Sequence, residues 1–118
     1  MDFDNYREFL LAKKGVTEEQ PFGPDVIVYK VMGKMFAMLA PDARKLKVSL
    51  KNTIEKNIAL RELHEGIEGA YHMNKAHWSS FDMSFNIPSQ LLLDCTTDSY
   101  DLVVKGLSKA LKAELAKL

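Results

Sequence analysis

Between Val26 and Leu50 three apolar runs, separated by two breaks, constrain the fold more than any other stretch of the chain. Val26-Ile27-Val28-Tyr29-Lys30-Val31 is β-branched and aromatic, the composition of a strand. Met32-Gly33 follows as a two-residue connection in which Gly33 supplies the positive φ of a tight hairpin turn, and Lys34 to Ala40 is the partner strand. Pro41 to Lys45 reads as a longer, charged turn. Leu46-Lys47-Val48-Ser49-Leu50 then alternates, with its three apolar residues directed inward and Lys47 and Ser49 outward. Three consecutive antiparallel strands form a meander, and its apolar face has to be covered by something.

Helical patterns on either side supply the cover. Asp2 to Lys14 spaces Phe3, Tyr6, Phe9, Leu10 and Leu11 as one helix face, with acids early, lysines late and Gly15 as the stop. Thr17 to Pro24 reads as a loop, because Pro21-Phe22-Gly23-Pro24 excludes a helix. Asn52-Thr53-Ile54-Glu55 has the pattern of a capping box with Asn52 as the cap. The helix it opens runs to about His64, with Ile54, Ile58 and Leu63 on the buried face and Gly66 at its end. Ala70 to His72 and His77 to Met83 read as strands. Pro88 opens a helix holding Leu91, Leu92 and Cys95. Thr97 caps a further helix to Lys105, and Ser108 starts a last one with Leu111, Leu115 and Leu118 inward.

This order predicts a single domain over residues 1–118. The fold class is α+β, an antiparallel sheet of a meander plus additional strands, with helices packed on one face. The expected core includes Phe9, Leu10, Val28 or its neighbour Ile27, Phe36, Val48, Leu50, Ile58, Trp78 and Leu92. A chain of 118 residues buries roughly two-thirds of its unfolded surface, so it needs no disulfide or metal staple. Its single cysteine excludes an intramolecular disulfide and fits a reducing, cytoplasmic location. The acidic start, Met1-Asp2-Phe3-Asp4, lacks the basic and apolar regions of a secretory signal, and no apolar run is long enough to span a membrane.

Sixteen basic and sixteen acidic side chains cancel overall, but not locally. Asp42 to Lys56 holds five bases and two acids, and Lys105 to Leu118 four bases and one acid, whereas Asn57 to Val104 holds two bases against seven acids. Such patches steer a polyanion while the net field stays near zero, and they also describe an ordinary soluble surface. The cations in and beside the hairpin turns, Lys30 and Lys34 around the first and Arg44, Lys45, Lys47 and Lys51 around the second, could grip a phosphate backbone.

Asn74-Lys75-Ala76-His77-Trp78 is the densest polar and aromatic cluster in the chain. The histidine–lysine pair could move a proton, but no acid, serine or cysteine nearby in sequence completes a catalytic constellation, so no enzyme activity is expected. The plainer reading makes Asn74 and Lys75 a turn, turns His77 outward and anchors Trp78 in the core. His64, His72 and His77 are not spaced to share a metal on one helix face. Cys95 follows a leucine run and reads as a small buried hydrophobe. Gly66-Ile67-Glu68-Gly69 is acidic and lacks the lysine ending of a phosphate-binding loop. No metal and no cofactor is expected.

Pro21-Phe22-Gly23, Tyr29-Lys30-Val31, Gly33-Lys34-Met35-Phe36-Ala37, Val48-Ser49-Leu50-Lys51, Asn74-Lys75-Ala76-His77-Trp78 and Asp98-Ser99-Tyr100-Asp101-Leu102-Val103 occur in the order in which similar blocks occur in the bacterial MmcQ/YjbR family. The chain resembles that family over essentially its whole length, most specifically in the Asn-Lys-x-His-Trp block. The resemblance implies a frataxin-like (CyaY-like) fold, also described as a double wing, and a DNA-binding role. The wings would be the hairpins around Gly33 and around Asp42 to Lys45. Frataxins hold iron on an acidic first helix; here Asp2, Asp4 and Glu8 stand beside Arg7, Lys13 and Lys14, and iron binding is not carried over.

Two functions follow as expectations. The first is a weak DNA-binding module that contacts phosphates through Lys30, Lys34, Arg44, Lys45, Lys47 and Lys51. The second is a non-enzymatic module that binds a protein or a small ligand in a groove near Lys75, His77 and Trp78, with Asn74, Lys75 and His77 organised by the turn before the Trp78 strand. Neither involves a membrane.

Overall fold

Asp2 accepts a hydrogen bond from the backbone N–H of Asn5 at 2.8 Å, and this cap opens α1 (Phe3–Leu11), which buries Tyr6 and Leu10. The computed structural model describes residues 1–40, 46–71 and 73–118. After α1 the chain does not pass straight into a loop. Val16–Glu19 forms strand β1, antiparallel to β2 (Ile27–Val31), with Val16 opposite Val31 and Glu19 opposite Val28. The loop expected from Thr17 is therefore half strand. The free edge of β2 offers ladder hydrogen bonds that outweigh the poor strand propensity of Thr17-Glu18-Glu19.

The hairpin from β2 to β3 (Lys34–Ala40) turns on Met32 at φ 49° and Gly33 at φ 82°. Two central residues with positive φ match the right-handed twist of the flanking strands. The register shifts between Tyr29 and Lys30, which face Ala37 and Met35, so Phe36 is the extra residue of a bulge. The bulge admits both Phe36 and Ala37 to the main core. β4 (Lys47–Lys51) completes the meander, as the alternation from Leu46 to Leu50 requires. The turn expected at Pro41 to Lys45 lies outside the described residues.

α2 (Ile54–Leu63) corrects two expectations. Its cap is Thr53, whose Oγ1 accepts from the Lys56 N–H at 3.3 Å; Asn52 is one residue too early and is instead buried. Its apolar stripe does not face the core. Ile54, Ile58 and Leu63 are 46%, 52% and 76% exposed, while the helix buries Asn57 and Leu60. The surface beneath α2 includes loop backbone whose carbonyls need donors, and this selects Asn57 over Ile58 for the buried side.

β5 (Ile67–Gly69) begins earlier than the expected strand at Ala70 to His72, and His72 lies outside the described residues. β6 (Trp78–Asp82) inserts between β4 and β5, giving one antiparallel sheet in the order β1-β2-β3-β4-β6-β5. α3 (Ser89–Lys105) runs without the break expected at Thr97. Thr97 instead accepts from Lys13 Nζ at 2.9 Å, and Thr96 satisfies its hydroxyl on the Leu92 carbonyl within the helix. Ser108 caps α4 (Lys109–Ala116) through the Leu111 N–H; Leu115 is buried, whereas Leu118 is exposed.

The helices gather on one face of the sheet. Ile27, Tyr29, Val31, Ala37, Leu39, Val48, Leu50, Phe81 and Ile67 meet Leu10, Leu60, Leu92, Cys95 and Val103 there. Three buried hydroxyls lock this packing: Tyr6 bonds Thr96 at 2.8 Å, Ser99 donates to the Phe36 carbonyl at 2.6 Å, and Tyr29 donates to Glu18 at 2.6 Å. Among the described residues the opposite face carries no helix. Alternation places Val28, Lys30, Met35, Met38, Lys47, Ser49, Trp78 and Ser80 on it.

Candidate functional site

The helix-free face is not flat. Phe22, Val26, Met35, Met38, Tyr71, Met73, Asn74 and Trp78 line a hollow of about 510 Å³. A second hollow of about 490 Å³ shares Val26, Met38 and Tyr71 with it and continues to Lys47, Ser49, Glu68, Lys75 and Ser80. Together they form one trough, apolar at the Phe22 and Trp78 end and polar at the Lys47 and Lys75 end. Each half falls in the size range of small-molecule sites. Phe22 and Tyr71, which both line the first hollow, are 71% and 76% exposed.

Backbone hydrogen bonds build the wall of the trough that carries the Asn74–Trp78 block. Asn74 Oδ1 accepts from the Ala76 N–H at 3.0 Å, and its carbonyl accepts from the N–H groups of His77 and Trp78 at 3.1 and 2.9 Å. Asn74 thus closes the turn, as expected. From below, two residues of α2 hold this turn. Asn57 donates to the Ala76 carbonyl at 3.0 Å and to the Asn52 carbonyl at 3.3 Å, and accepts from Ser79 Oγ at 2.8 Å. Arg61 donates to the carbonyls of Lys75 and Trp78 and to Ser79 Oγ. Every polar atom of the buried Asn57 side chain is therefore used on the loop or on β6. The stem of Lys75 lies across Gly69, where an added Cβ would come within 3.0 Å of it.

The structure separates residues that the sequence reading had grouped. Trp78 and Asn74 line the apolar hollow and Lys75 the polar one, but His77 lines a different hollow, with Asn52, Thr53, Ile54 and Leu102. The expected groove of Lys75, His77 and Trp78 loses its histidine, because consecutive residues entering a strand point to opposite faces. For the same reason Trp78 is half-buried on the helix-free side and does not belong to the main core.

Of the six expected wing cations, four lie among the described residues. Lys34 is exposed at the first hairpin, while Lys30 faces Glu19 at 3.5 Å across the ladder. Lys47 is exposed on the helix-free face; Lys51 ends β4 opposite Trp78. Arg44 and Lys45 lie outside the described residues. Sequence reasoning did not find Phe22, Val26, Met35, Met38, Tyr71 and Met73 as a lining, nor Asn57 and Arg61 as its support. A signal for the lining was present: Val26 to Tyr29 is apolar at odd and even positions alike, the pattern of a strand covered on both faces.

Cys95 is buried on α3, and desolvation pushes its thiol up to about 11, away from a reactive thiolate. Among the described residues no group of three histidine, cysteine, aspartate or glutamate side chains could hold a metal ion. Also among them, no helix is long and apolar enough to cross a membrane.

An α+β domain with helices on one side of an antiparallel sheet and a ligand-sized trough on the other defines the class of protein. The chain belongs to the YjbR family, whose family model matches residues 11–102. It is 40% identical over 90 residues to the uncharacterised protein YbdF of Escherichia coli O157:H7, covering 75% of this chain and 73% of that one. It is 26% identical over 118 residues to the uncharacterised protein YjbR of Escherichia coli K12, along the full length of both. Among solved structures, Deinococcus radiodurans protein DR2400, a domain of the DUF419 family model, superposes with a TM-score of 0.90 at 31% identity, over 98% of this chain and 88% of that one. A Pseudomonas syringae protein superposes at 0.74 and 23% identity, over 86% and 98%, and shares the fold.

Proposed function

We propose that this chain is a non-enzymatic binding protein whose site is the trough on the helix-free face of the sheet. The observation that carries the reading is the continuous lining from Phe22 and Trp78 through Met38 to Lys47 and Lys75. A hollow with an apolar lining beside a few polar groups is what a ligand or partner site requires. The three methionines of the lining adapt their shape to an occupant more readily than branched side chains do. Asn57 and Arg61 support the reading, since they hold the Asn74–Trp78 wall in place before anything binds.

Anilinonaphthalene sulfonate tests it, because the dye brightens when an apolar hollow shields it from water. The native protein should enhance its emission at neutral pH. Met38→Asp, in the middle of the trough, should abolish the enhancement while far-ultraviolet circular dichroism is unchanged. Leu63→Asp, on the exposed side of α2, should leave it intact. A dye response lost with Leu63→Asp and kept with Met38→Asp would move the site to α2.

A second reading, DNA binding, is favoured by one observation: Lys30, Lys47 and Lys51 share the helix-free face by strand alternation. Phosphates would then cross the sheet face instead of two wing tips. With these three contacts, the log–log salt slope for duplex DNA would be no steeper than about −2.7, with little sequence preference. Fluorescence anisotropy of a labelled duplex at low salt decides it, and no binding at tens of micromolar protein would remove this reading.

A further inference from the structure

We infer that the hollow at the start of α2 binds a free α-amino acid with an apolar side chain. This hollow, of about 430 Å³, shares no lining residue with the trough. Three observations carry the inference. The first is an amide left without a partner. Asn52 is 7% exposed; its N–H donates to the His77 carbonyl at 2.9 Å, its carbonyl accepts from Asn57 Nδ2 at 3.3 Å, and its Oδ1 accepts from the Thr53 N–H at 3.0 Å. Of its polar atoms Nδ2 alone has no hydrogen-bond partner among the described residues, and no such atom is sealed from solvent. The surface that Asn52 reaches is this hollow, so Nδ2 donates into it. The second is the first turn of α2. Thr53 Oγ1 serves the Lys56 N–H, which leaves the N–H groups of Ile54 and Glu55, residues of the same lining, as free donors.

The third is the balance of charge. Lys51 from β4 and Glu55 from α2 line the hollow, and neither forms an ion pair among the described residues. Around them the charges cancel: Lys56 pairs with Asp98 at 3.4 Å, and Asp101 and Lys105, on either side of Leu102, are exposed and opposite in sign. Charge alone therefore selects neither an anion nor a cation. A ligand with both charges satisfies the whole set. Its carboxylate takes Asn52 Nδ2, the first-turn N–H groups and Lys51, and its ammonium faces Glu55. Ile54 and Leu102 offer apolar wall to its side chain. Without the ammonium, the ligand's carboxylate would meet Glu55 as a like charge; without the carboxylate, the donors would lack an acceptor. The charged heads are partly in solvent, so the discrimination is modest.

Leucine, isocaproate (leucine without its amine) and isoamylamine (leucine without its carboxylate) share one branched chain and differ in their charged groups. In nuclear magnetic resonance titrations the His77 ring reads this hollow and the Met38 methyl reads the trough. Leucine should move the His77 resonances along a saturating curve, leave Met38 fixed, and bind at least about threefold more tightly than either analogue. Glu55→Gln, at an exposed position, should bring leucine and isocaproate to equal affinity. Asn52→Asp keeps an oxygen for the Thr53 N–H and should abolish binding of both. Isocaproate bound as tightly as leucine by the native protein would overturn the inference. Leucine shifts at Met38 with none at His77 would overturn it too, by placing the ligand in the trough. So would the absence of any His77 shift with all three at tens of millimolar ligand, or unchanged leucine binding by a folded Asn52→Asp protein.

Discussion

Replacing Asn57 by alanine separates the structure's account of α2 from the account its apolar spacing suggests. Asn57 is 1% exposed and makes three hydrogen bonds, to the carbonyls of Ala76 and Asn52 and from the hydroxyl of Ser79. Alanine removes all three and leaves the Ala76 carbonyl and the Ser79 hydroxyl short of a partner, although Arg61 still donates to Ser79. At about 0.5–1.5 kcal/mol for each net hydrogen bond, with a further cost for stranded polar groups and the void, Asn57→Ala should lose about 2–4 kcal/mol. Ile58→Ala, one residue on and 52% exposed, should lose less than about 0.5 kcal/mol. Urea melts of the two variants read the difference as midpoint shifts at constant slope. Trp78 emission of the still-folded Asn57→Ala protein should also change, because the loop that Asn57 holds leads into Trp78. An Ile58→Ala loss larger than that of Asn57→Ala would show that α2 packs through its apolar stripe and that this description of the site wall is wrong.

Other consequences are smaller and separable. Gly33→Ala should cost about 1 kcal/mol in the same melts through its positive φ alone, since an added Cβ meets nothing within 4 Å. Ser99→Ala should cost about 1–3 kcal/mol, because the Ser99 hydroxyl serves both the Phe36 carbonyl and the Lys51 N–H. Arg7, first, and then the Tyr29 hydroxyl hold the Glu18 carboxyl below the ordinary glutamate range. Its contribution is therefore complete above the unfolded pKa and lost as pH falls through the folded one. Acid melts of Arg7→Ala should show a weaker loss of stability below about pH 4.5 than the native protein. Cys95 should resist a thiol reagent in the folded protein and react only once denaturant exposes it.

The meander was legible because alternation and a Met-Gly turn each admit few structures, and the order of helices and strands followed from caps and breaks. Strand β1 was not, since Thr17-Glu18-Glu19 earns its place by pairing with β2 and not by its own propensity. α2 was misread for a related reason: its spacing of Ile54, Ile58 and Leu63 is amphipathic, but what decides its orientation is a set of carbonyls at Lys75, Ala76 and Trp78, far away in sequence. Thr96 and Thr97 resemble a cap in isolation, yet inside α3 their hydroxyls find partners at Leu92 and Lys13. The site was half visible. The Asn74–Trp78 block stood out by composition, whereas the lining opposite it comes from Phe22, Met35 and Met38, which nothing local connects to Trp78. The register of the sheet brings Met35 and Met38 to the face of Trp78, and the loop before β2 adds Phe22.

The six methionines offer a direct test of where the site lies. Met35, Met38 and Met73 line the trough, and Met1, Met32 and Met83 do not. With the methionine methyls labelled with carbon-13, a titration with anilinonaphthalene sulfonate should move the resonances of Met35, Met38 and Met73 along saturating curves with one dissociation constant, while Met1, Met32 and Met83 stay fixed. Shifts at Met32 or Met83 with none at Met38 would contradict the trough as the binding site.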